Sequence, residues 1–489
     1  MRSCICEHSL NYFQGAVFKL LKALRLNKFQ ILLYGLYIML AFLSSAPTNP
    51  EARAGLEDAG YNLFRRYVGG VISTWDVLFF SLIFLLLVNN MCSKNPVNLL
   101  HRAVQNKVIM LYFKVLALSV VVGLFVITCT QVDAFSFTDW FRPVVPILYL
   151  YLTYFLVVNV IDTKEKFFQT FKLFEITAFA LVIYGFFRLK AILTGNITTL
   201  MVEGIPIILY SELLYFDLPI CVYFAHIWCG KKLGLPRIIL LLLMIGFILA
   251  STRRFNYILL TINVMLVLLV ARRASLVTFK EAFVRSRYFI VLSLVGFATI
   301  LIAVPELAEA IWFAIGTINM FSTAGFSYTG EFRIIQIENI FLNLWQFPIT
   351  LLFGFGIASK WHMLKDLPTT IDEVGAHMAY DAKVLAAGSD WFPFFHVAYF
   401  STFFRFGVIG CLLLLYIVYS LFSNVSSMIS RVPDQDQRLV LVALTCLVFM
   451  PILTIGDNTP PTFCILLGLY LGLIEAARLS TRSERHEVS

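Results

Sequence analysis

Charged residues are scarce in this chain of 489 residues. Only 14% of the residues are Asp, Glu, Lys or Arg, whereas 60% are hydrophobic and the mean hydropathy is +0.83. Soluble domains carry about 25% charged residues, so this composition excludes a soluble globular enzyme and a disordered chain. It predicts an all-α polytopic membrane protein, because long apolar runs cross a bilayer as helices.

Cysteines and metal ligands are also sparse where a water-facing segment would need them. The nine cysteines lie in or beside apolar runs, and none falls between Pro305 and Arg405. Cys4 and Cys6 have no matching ligand pair, and a structural zinc site needs about four ligands. No outer Asp-x-Asp pair or His and Asp cluster occurs, so no metal site is predicted. No basic surface interleaved with aromatics is visible either, so no nucleic-acid partner is expected.

The apolar runs divide the chain into about 12 candidate spans. They begin near Phe29, Val71, Val108, Val144, Phe171, Pro206, Ile238, Phe255, Tyr288, Phe406, Leu439 and Thr462. The predicted segments are a cytoplasmic or interfacial N-terminus (1–28), a first membrane part (29–304), a large outer loop with interfacial helices (305–404), a last membrane part (405–478) and a cytoplasmic tail (479–489). The polar tail is predicted to lack structure.

Lysines and arginines are distributed unevenly between alternate gaps. With the N-terminus in the cytoplasm, roughly 23 lie in inner gaps and about 13 in outer ones, and cytoplasmic loops carry the excess of positive charge. Both termini are therefore predicted to be cytoplasmic. The net charge of +9 follows from this bias and indicates contact with anionic membrane lipid.

Arg253 and Arg254 occupy a short break between the apolar runs from Ile238 to Ala250 and from Phe255 to Val270. The orientation places this break on the outer side, where topology disfavours positive charge. A planar guanidinium forms paired hydrogen bonds with phosphate. The turn is therefore predicted to bind a phosphate-bearing ligand at the outer surface of the bilayer.

The outer loop contains a predicted amphipathic helix that begins near Arg333 and lies on, or caps, the membrane. Its apolar positions are Ile334, Ile337, Phe341 and Trp345, and its polar positions are Arg333, Gln336, Asn339 and Asn343. Arg333 is a candidate second phosphate ligand. A solvated arginine paired with the nearby Glu331 is an equally good interpretation of the spacing.

His396 stands among aromatic residues where the outer loop returns to the bilayer. A neutral imidazole there can accept a proton from a sugar hydroxyl. A lone interfacial histidine more often serves as an anchor, but the predicted depth shared with two arginine sites favours a catalytic role. Glu212 and Asp217 lie within an apolar run, where an acid needs a partner or a purpose, and interhelical hydrogen bonding explains them as well as acceptor contact does.

The order of these motifs resembles the O-antigen ligase and O-antigen polymerase superfamily of polytopic membrane glycosyltransferases. Ser251-Thr252-Arg253-Arg254 is followed by Arg333, by a Pro348 and Gly354-Phe355-Gly356 break, and by His396 at the start of a span with Gly407 and Gly410. The resemblance covers roughly residues 238–414. Val397 departs from the pattern of that superfamily, in which Asn, Ser or Gln often follows the histidine. The contacts with the acceptor are therefore expected to differ in detail.

This resemblance implies a glycosyltransferase C type fold in the bacterial inner (cytoplasmic) membrane with a periplasmic active site. The donor would be an undecaprenyl-diphosphate-linked oligosaccharide, bound through its diphosphate by Arg253, Arg254 and Arg333. His396 would be the catalytic base of a single inverting displacement, and no metal or other cofactor is expected. A flippase and a chain-length regulator are further partners that the resemblance suggests.

Three functions remain open at the level of sequence. A polymerase joins lipid-linked repeat units, whereas a ligase must bind the phosphate-rich lipid A core and would gain from a basic outer loop. Residues 305–404 hold four basic and nine acidic side chains, which favours the polymerase. A flippase or other transporter is the third function, although transporters usually carry broken helices and charges near the bilayer midplane.

Overall fold

The computed structural model of the protein is almost entirely helical in the part of the chain that it describes. The described residues are 74–91, 98–130, 137–193, 201–202, 205–206, 211–250, 254–287, 291, 328–365, 391–392, 398–455 and 461–488. The helices are α1 (Thr74–Met91), α2 (Leu99–Ala103), α3 (Lys107–Thr130), α4 (Phe137–Val160), α5 (Lys164–Leu193), α6 (Asp217–Trp228), α7 (Leu235–Ala250), α8 (Arg254–Arg273), α9 (Tyr328–Gln346), α10 (Pro348–Phe353), α11 (Ala398–Ile429), α12 (Gln435–Thr454) and α13 (Pro461–Val488).

Irregular and extended elements are short. A 3-10 helix covers Ser211–Tyr215, and a helical segment covers 279–287. Strands β1 (Met201–Val202) and β2 (Ile205–Pro206) pair antiparallel, as do β3 (Trp361–His362) and β4 (Trp391–Phe392).

Among the residues that the structure describes, five helical stretches are long and apolar enough to cross a membrane. They are Lys107–Thr130, Lys164–Arg188, Phe400–Ile429, Gln435–Thr454 and Phe463–Thr481. Four shorter apolar stretches add to them, namely Phe79–Val88, Val144–Val160, Leu213–Trp228 and Leu235–Leu249. These helices support the predicted class, an all-α protein of membrane type. The spans predicted near Phe29 and Tyr288 lie outside the described residues, and the total of about 12 stays a prediction.

The packed centre of the bundle contains α13, which makes its largest contact with α4. Two small residues of α13 face α4 at close range: a Cβ added to Gly468 would lie 2.5 Å from the Leu150 carbonyl oxygen, and one added to Gly472 would lie 2.7 Å from Val157 Cβ. Small residues let membrane helices approach closely. Phe84, Phe125 and Phe187 are instead exposed on the outside of the bundle, as expected of side chains that face lipid.

Ion pairs join the ends of several helices at one end of the bundle, hereafter the basic end. Lys164 pairs with Asp434 at 2.7 Å, Lys231 pairs with Asp436, and Arg285 donates a 2.6 Å hydrogen bond to the Trp228 carbonyl. Partial burial raises the pKa of Asp434, but hydrogen bonds from Lys164 and from the Gln437 N–H outweigh it and hold that pKa below its usual value. The segments between helices that are predicted to be cytoplasmic are therefore in contact with one another at the basic end.

A buried glutamate extends the basic end to α2 and α13. Glu475 is fully buried and accepts hydrogen bonds from Asn106, at 2.9 Å, and from Arg478. Burial lowers the pKa of the neighbouring Arg102, while Asp162 and Glu475 raise it. The segment 98–107 therefore belongs to the same end as 162–164 and 475–478, in agreement with the predicted grouping of positive charge.

The last helix is longer than its hydrophobicity suggests. The polar residues after Leu479 are predicted from composition to lack structure, but α13 continues to Val488. The prediction is wrong because helix once begun propagates at low cost, and Glu, Arg and Ser residues in this stretch are compatible with a solvated helix.

Candidate functional site

The four predicted site residues fall at helix beginnings or just outside the described residues. Arg254 is the first residue of α8, and Arg333 is the sixth residue of α9. Arg253 and His396 lie outside the described residues, Arg253 immediately before α8 and His396 two positions before α11. The site is therefore located through the helices that flank it.

Helices α8 and α11 run in the same direction. Near the C-terminal ends of both, Arg273 Nη2 donates to Ser423 Oγ at 3.3 Å, and its guanidinium lies 5.2 Å from the Phe422 ring centroid. Arg273 belongs to the basic end, so the first residues of α8 and α11 lie at the opposite end. Arg254 is 19 residues, or about 28 Å of helix, before Arg273. Position 404, which is 19 residues before Ser423, is close to the start of α11.

Helix α9 packs against the start of α11. The Phe341 ring centroid is 6.1 Å from those of both Phe400 and Phe403. Strand β4, which precedes His396, pairs with β3, and β3 also contacts α9. The structure thus brings the helix that carries Arg333 next to the two elements that flank His396, at the end of the bundle opposite the basic end.

The amphipathic character of α9 is confirmed, and its polar face points into the protein. Gln336, Asn339 and Asn343 are buried, whereas Trp345 is 82% exposed and Phe341 is about half exposed. Such a helix suits a lipid or interfacial environment, because its apolar face is turned outward. Helical spacing puts position 333 on the same face as 336 and 340, both of which are buried.

Two buried asparagines of α9 hold the chain that follows the glycine break. Asn339 Oδ1 accepts hydrogen bonds from Leu364 N, at 2.7 Å, and Lys365 N, at 2.8 Å. Asn343 exchanges two bonds with the His362 backbone, at 2.9 and 2.7 Å. These amides bind the backbone of residues 362–365, where strand β3 ends at His362. They are structural residues, and their position on the polar face does not make them ligand contacts.

Residues 354–361 form a buried loop that inserts between α3 and α11. Phe355 N and Gly356 N donate to the Phe404 and Arg405 carbonyls at 2.8 and 3.0 Å, and Ile357 N donates to the Ser119 carbonyl at 2.9 Å. Ser119 lies midway along α3. Irregular backbone at such a depth is tolerated in a membrane protein where protein surrounds it and its polar groups are paired.

Gly407 interrupts α11 opposite this loop. Its φ of 60° and ψ of −171° break the helix, and the carbonyls of Phe404 and Arg405 are thereby free to accept from the loop. Glycine adopts this conformation without the penalty that a side chain imposes. Ala358 in the loop has a φ of 72°, a conformation costly for alanine that persists where neighbouring contacts fix the backbone.

Arg405 is the largest polar side chain enclosed by this arrangement, and it is 0% exposed. Its guanidinium donates to the carbonyl and hydroxyl of Ser359 and, at 3.4 Å, to the Gly356 carbonyl. It also lies 4.9 Å from the Phe404 ring centroid. Arg405 therefore holds the buried loop in place. Sequence reasoning assigned it no role, because an arginine near a span boundary resembles any interfacial anchor.

Replacement of Gly356 by alanine is expected to destabilise the protein. The added Cβ would lie 2.0 Å from Gly123 N, and Gly356 has a φ of 80°. Overpacking of this kind costs roughly 1–3 kcal/mol or more. The melting temperature of purified protein should fall by several degrees. Gly246→Ala is the matched control, since an added Cβ there meets no described atom within 4 Å. Equal melting temperatures for the two variants would contradict the close approach of loop and helix.

The two intramembrane acids occupy one short region. Glu212 lies in the 3-10 helix, and Asp217 is a buried residue in the first turn of α6. A carboxylate in the first turn interacts favourably with the helix dipole. The helix dipole therefore explains the presence of Asp217 structurally. A role for Glu212 in pairing or acceptor contact stays a prediction.

No protein-family model matches the sequence, and no curated protein is significantly similar to it. The resemblance to the O-antigen ligase and polymerase superfamily therefore rests on the motifs alone, and the function drawn from it is a proposal.

Proposed function

We propose that this protein is a membrane glycosyltransferase that polymerises oligosaccharide repeat units linked to undecaprenyl diphosphate. The observation that carries the proposal is that α9, the helix with Arg333, packs through Phe341 against Phe400 and Phe403 near the start of α11. His396 comes two residues before α11 in the sequence, and Arg254 begins α8. Phosphate ligands and a proton acceptor near one another are what transfer from a lipid diphosphate requires.

In the proposed reaction, His396 accepts the proton of the attacking sugar hydroxyl. The hydroxyl oxygen forms a bond to the anomeric carbon while the bond from that carbon to the diphosphate oxygen breaks. The electron pair of the broken bond stays on the diphosphate, which remains attached to its lipid. Arg253, Arg254 and Arg333 stabilise the charge that builds up there, so a metal is not required by the chemistry.

The charge of the outer loop supports a polymerase over a ligase. Four basic against nine acidic residues between 305 and 404 give this segment a net negative charge, and one basic residue, Lys365, is paired with Glu338. Such a loop repels a phosphate-rich lipid A core and suits a less charged glycan acceptor. A transfer assay that offers both acceptors tests this choice. Elongation of lipid-linked repeat units is expected, and transfer to the lipid A core alone would contradict it.

The interruption of α11 is the observation that favours a transporter. Broken membrane helices often leave carbonyls that bind a transported ion. Here, however, the carbonyls of Phe404 and Arg405 accept hydrogen bonds from the buried loop, and the Arg405 guanidinium is directed to the same loop. The break is filled by the chain itself, which supports a fixed scaffold more than a transport site.

Arg333→Lys is expected to restore little of the activity lost in Arg333→Ala. A lysine ammonium is a point charge and cannot reproduce paired hydrogen bonds to phosphate. Turnover of the lysine variant should fall at least about tenfold, in line with the loss of one charge-assisted hydrogen bond. Lys365→Gln is a matched control, because it removes a charge from the same region at a half-exposed ion pair. If Arg333→Lys turned over donor at the wild-type rate, Arg333 would not act through paired hydrogen bonds to phosphate.

A further inference from the structure

A long stretch of the predicted outer loop has no charged residue. It begins after Glu338, ends before Lys360 and is about as long as a membrane span. Its two ends nevertheless lie together, because Glu338 pairs with Lys365, and Asn343 Oδ1 accepts a 2.9 Å hydrogen bond from His362 N. The chain therefore turns back within this stretch instead of crossing to the basic end.

The turn of this hairpin, residues 354–357, reaches far along α3. Ile357 N donates to the Ser119 carbonyl at 2.9 Å. Toward the basic end, Lys114 is exposed and is the last charged residue of α3, about 7 Å of helix from Ser119. In the other direction, uncharged helix continues from Ser119 to Thr130, or about 16 Å. A hydrocarbon core is about 30 Å thick and a lysine keeps its ammonium at the interface, so the turn lies inside that core.

The arm that leads to this turn presents an apolar face away from the protein. Gln346 is the only polar residue among the exposed ones at positions 341–353. The opposite side of α10 rests on α11, since a Cβ added to Gly407 would lie 2.6 Å from the Leu352 carbonyl oxygen. The most exposed large apolar side chains of the arm are Trp345 (82%), Ile349 (70%) and Phe353 (54%).

Exposed apolar side chains of two candidate spanning helices adjoin this face. Leu118 and Val121 are exposed on α3 beside its contact with the turn, and Ile409 and Leu412 are exposed on α11 just beyond Gly407. Both helices are long and apolar enough to cross a membrane, so these side chains face lipid. The apolar face of the hairpin therefore continues the surface through which α3 and α11 meet lipid.

We propose that residues 339–361 form a re-entrant segment whose exposed face binds the acyl chains of the leaflet opposite the basic end. Part of the predicted outer loop is then embedded in the bilayer and does not face water. Irregular backbone is tolerated at this depth because α3 and α11 enclose the turn and accept its hydrogen bonds. Insertion of the hairpin is independent of the proposed function, and it holds for a transferase and a transporter alike.

Depth-dependent quenching of fluorescence tests this placement. A dansyl amino acid is incorporated at position 349 or 353 of the full-length protein. The protein is then reconstituted in vesicles of phosphatidylglycerol and of phosphatidylcholine brominated near the middle of its acyl chains. Val121 is the matched lipid-facing control, and Glu281, exposed at the basic end, is the water-facing control. Brominated lipid should remove fluorescence at 349 and 353 to nearly the extent seen at 121, and should remove little at 281.

A charge placed on the same face gives a second measurement. Ile349→Lys should lower the melting temperature in vesicles, because a charge in the hydrocarbon core is costly. Val284→Lys is the matched control, since Val284 is an exposed apolar residue next to Arg285 at the basic end, and it should melt like wild type. Equal melting temperatures for the two variants would overturn the proposal, as would quenching at 349 and 353 as weak as at 281. Cross-linking of benzoylphenylalanine at 353 to another copy of the chain would also overturn it, because protein would then cover the face in place of lipid.

Discussion

His396→Ala is expected to abolish glycosyl transfer while the lipid-linked donor remains bound. The arginines that hold the diphosphate are unchanged in this variant, but the attacking hydroxyl loses its proton acceptor. Loss of a general base lowers turnover by about 10²–10⁴-fold. Donor binding and turnover should therefore be measured separately on the same purified protein. The position of His396 in the sequence, between β4 and α11, motivates this prediction.

The pH dependence of turnover by the wild-type protein is a second test of His396 as the proposed base. An imidazole with an ordinary pKa of about 6.5 is protonated below that pH and can no longer accept a proton. Turnover should fall as the pH decreases through this range, while donor binding persists. His362→Ala is the matched control, because this histidine lies in the same outer segment and its bonds to Asn343 use backbone atoms. Near-normal turnover in His396→Ala would exclude His396 as the base and make Asp390, the nearest carboxylate in sequence, the next candidate.

Arg254→Ala is expected to lose turnover by about 10²–10³-fold with the protein still folded and inserted. Removal of one preorganised donor to a developing negative charge has this magnitude in other enzymes. Arg253→Ala should behave in the same way, because the two arginines are adjacent in the sequence and are proposed to bind the same diphosphate. Donor binding should weaken as well, which distinguishes these variants from His396→Ala.

A control for the arginine turn is available on the same helix. Arg272 is exposed at the other end of α8, with its guanidinium 4.4 Å from the Phe279 ring centroid. Arg272→Ala removes an equal charge from the basic end and should retain turnover. If Arg253→Ala and Arg254→Ala both turn over donor like wild type, the turn does not bind the leaving diphosphate.

The sequence alone predicts features that depend on composition and chain order. Apolar runs predict the spans that begin near Val108, Leu439 and Thr462, and the structure has helices there. The uneven distribution of Lys and Arg predicts that the segments around Lys164 and Lys231 lie on the same side of the membrane. Their ion pairs do lie at one end of the bundle, the basic end. These predictions succeed because hydrophobicity and charge act on each segment nearly independently of its neighbours.

Features that depend on contacts between distant segments are not predictable in this way. Gly354 and Gly356 mark a break, but nothing nearby in the chain shows that Gly356 packs on Gly123. Arg188 and Arg405 both look like arginines at the edge of an apolar run. The structure separates them, because Arg405 donates to the buried loop, whereas the buried Nε of Arg188 has no hydrogen-bond partner in the described chain. Periodicity likewise predicts the two faces of α9 but does not show that Asn339 and Asn343 bind the following backbone.

Release of undecaprenyl diphosphate during bond formation tests the proposed transfer site most directly. Purified protein in liposomes is supplied with a lipid-diphosphate-linked repeat unit, with a metal chelator present, and free lipid diphosphate and glycan length are measured together. One lipid diphosphate should be released for each glycosidic bond formed, and the chelator should have no effect. Movement of glycan across the bilayer without such release, or a requirement for added metal, would contradict it.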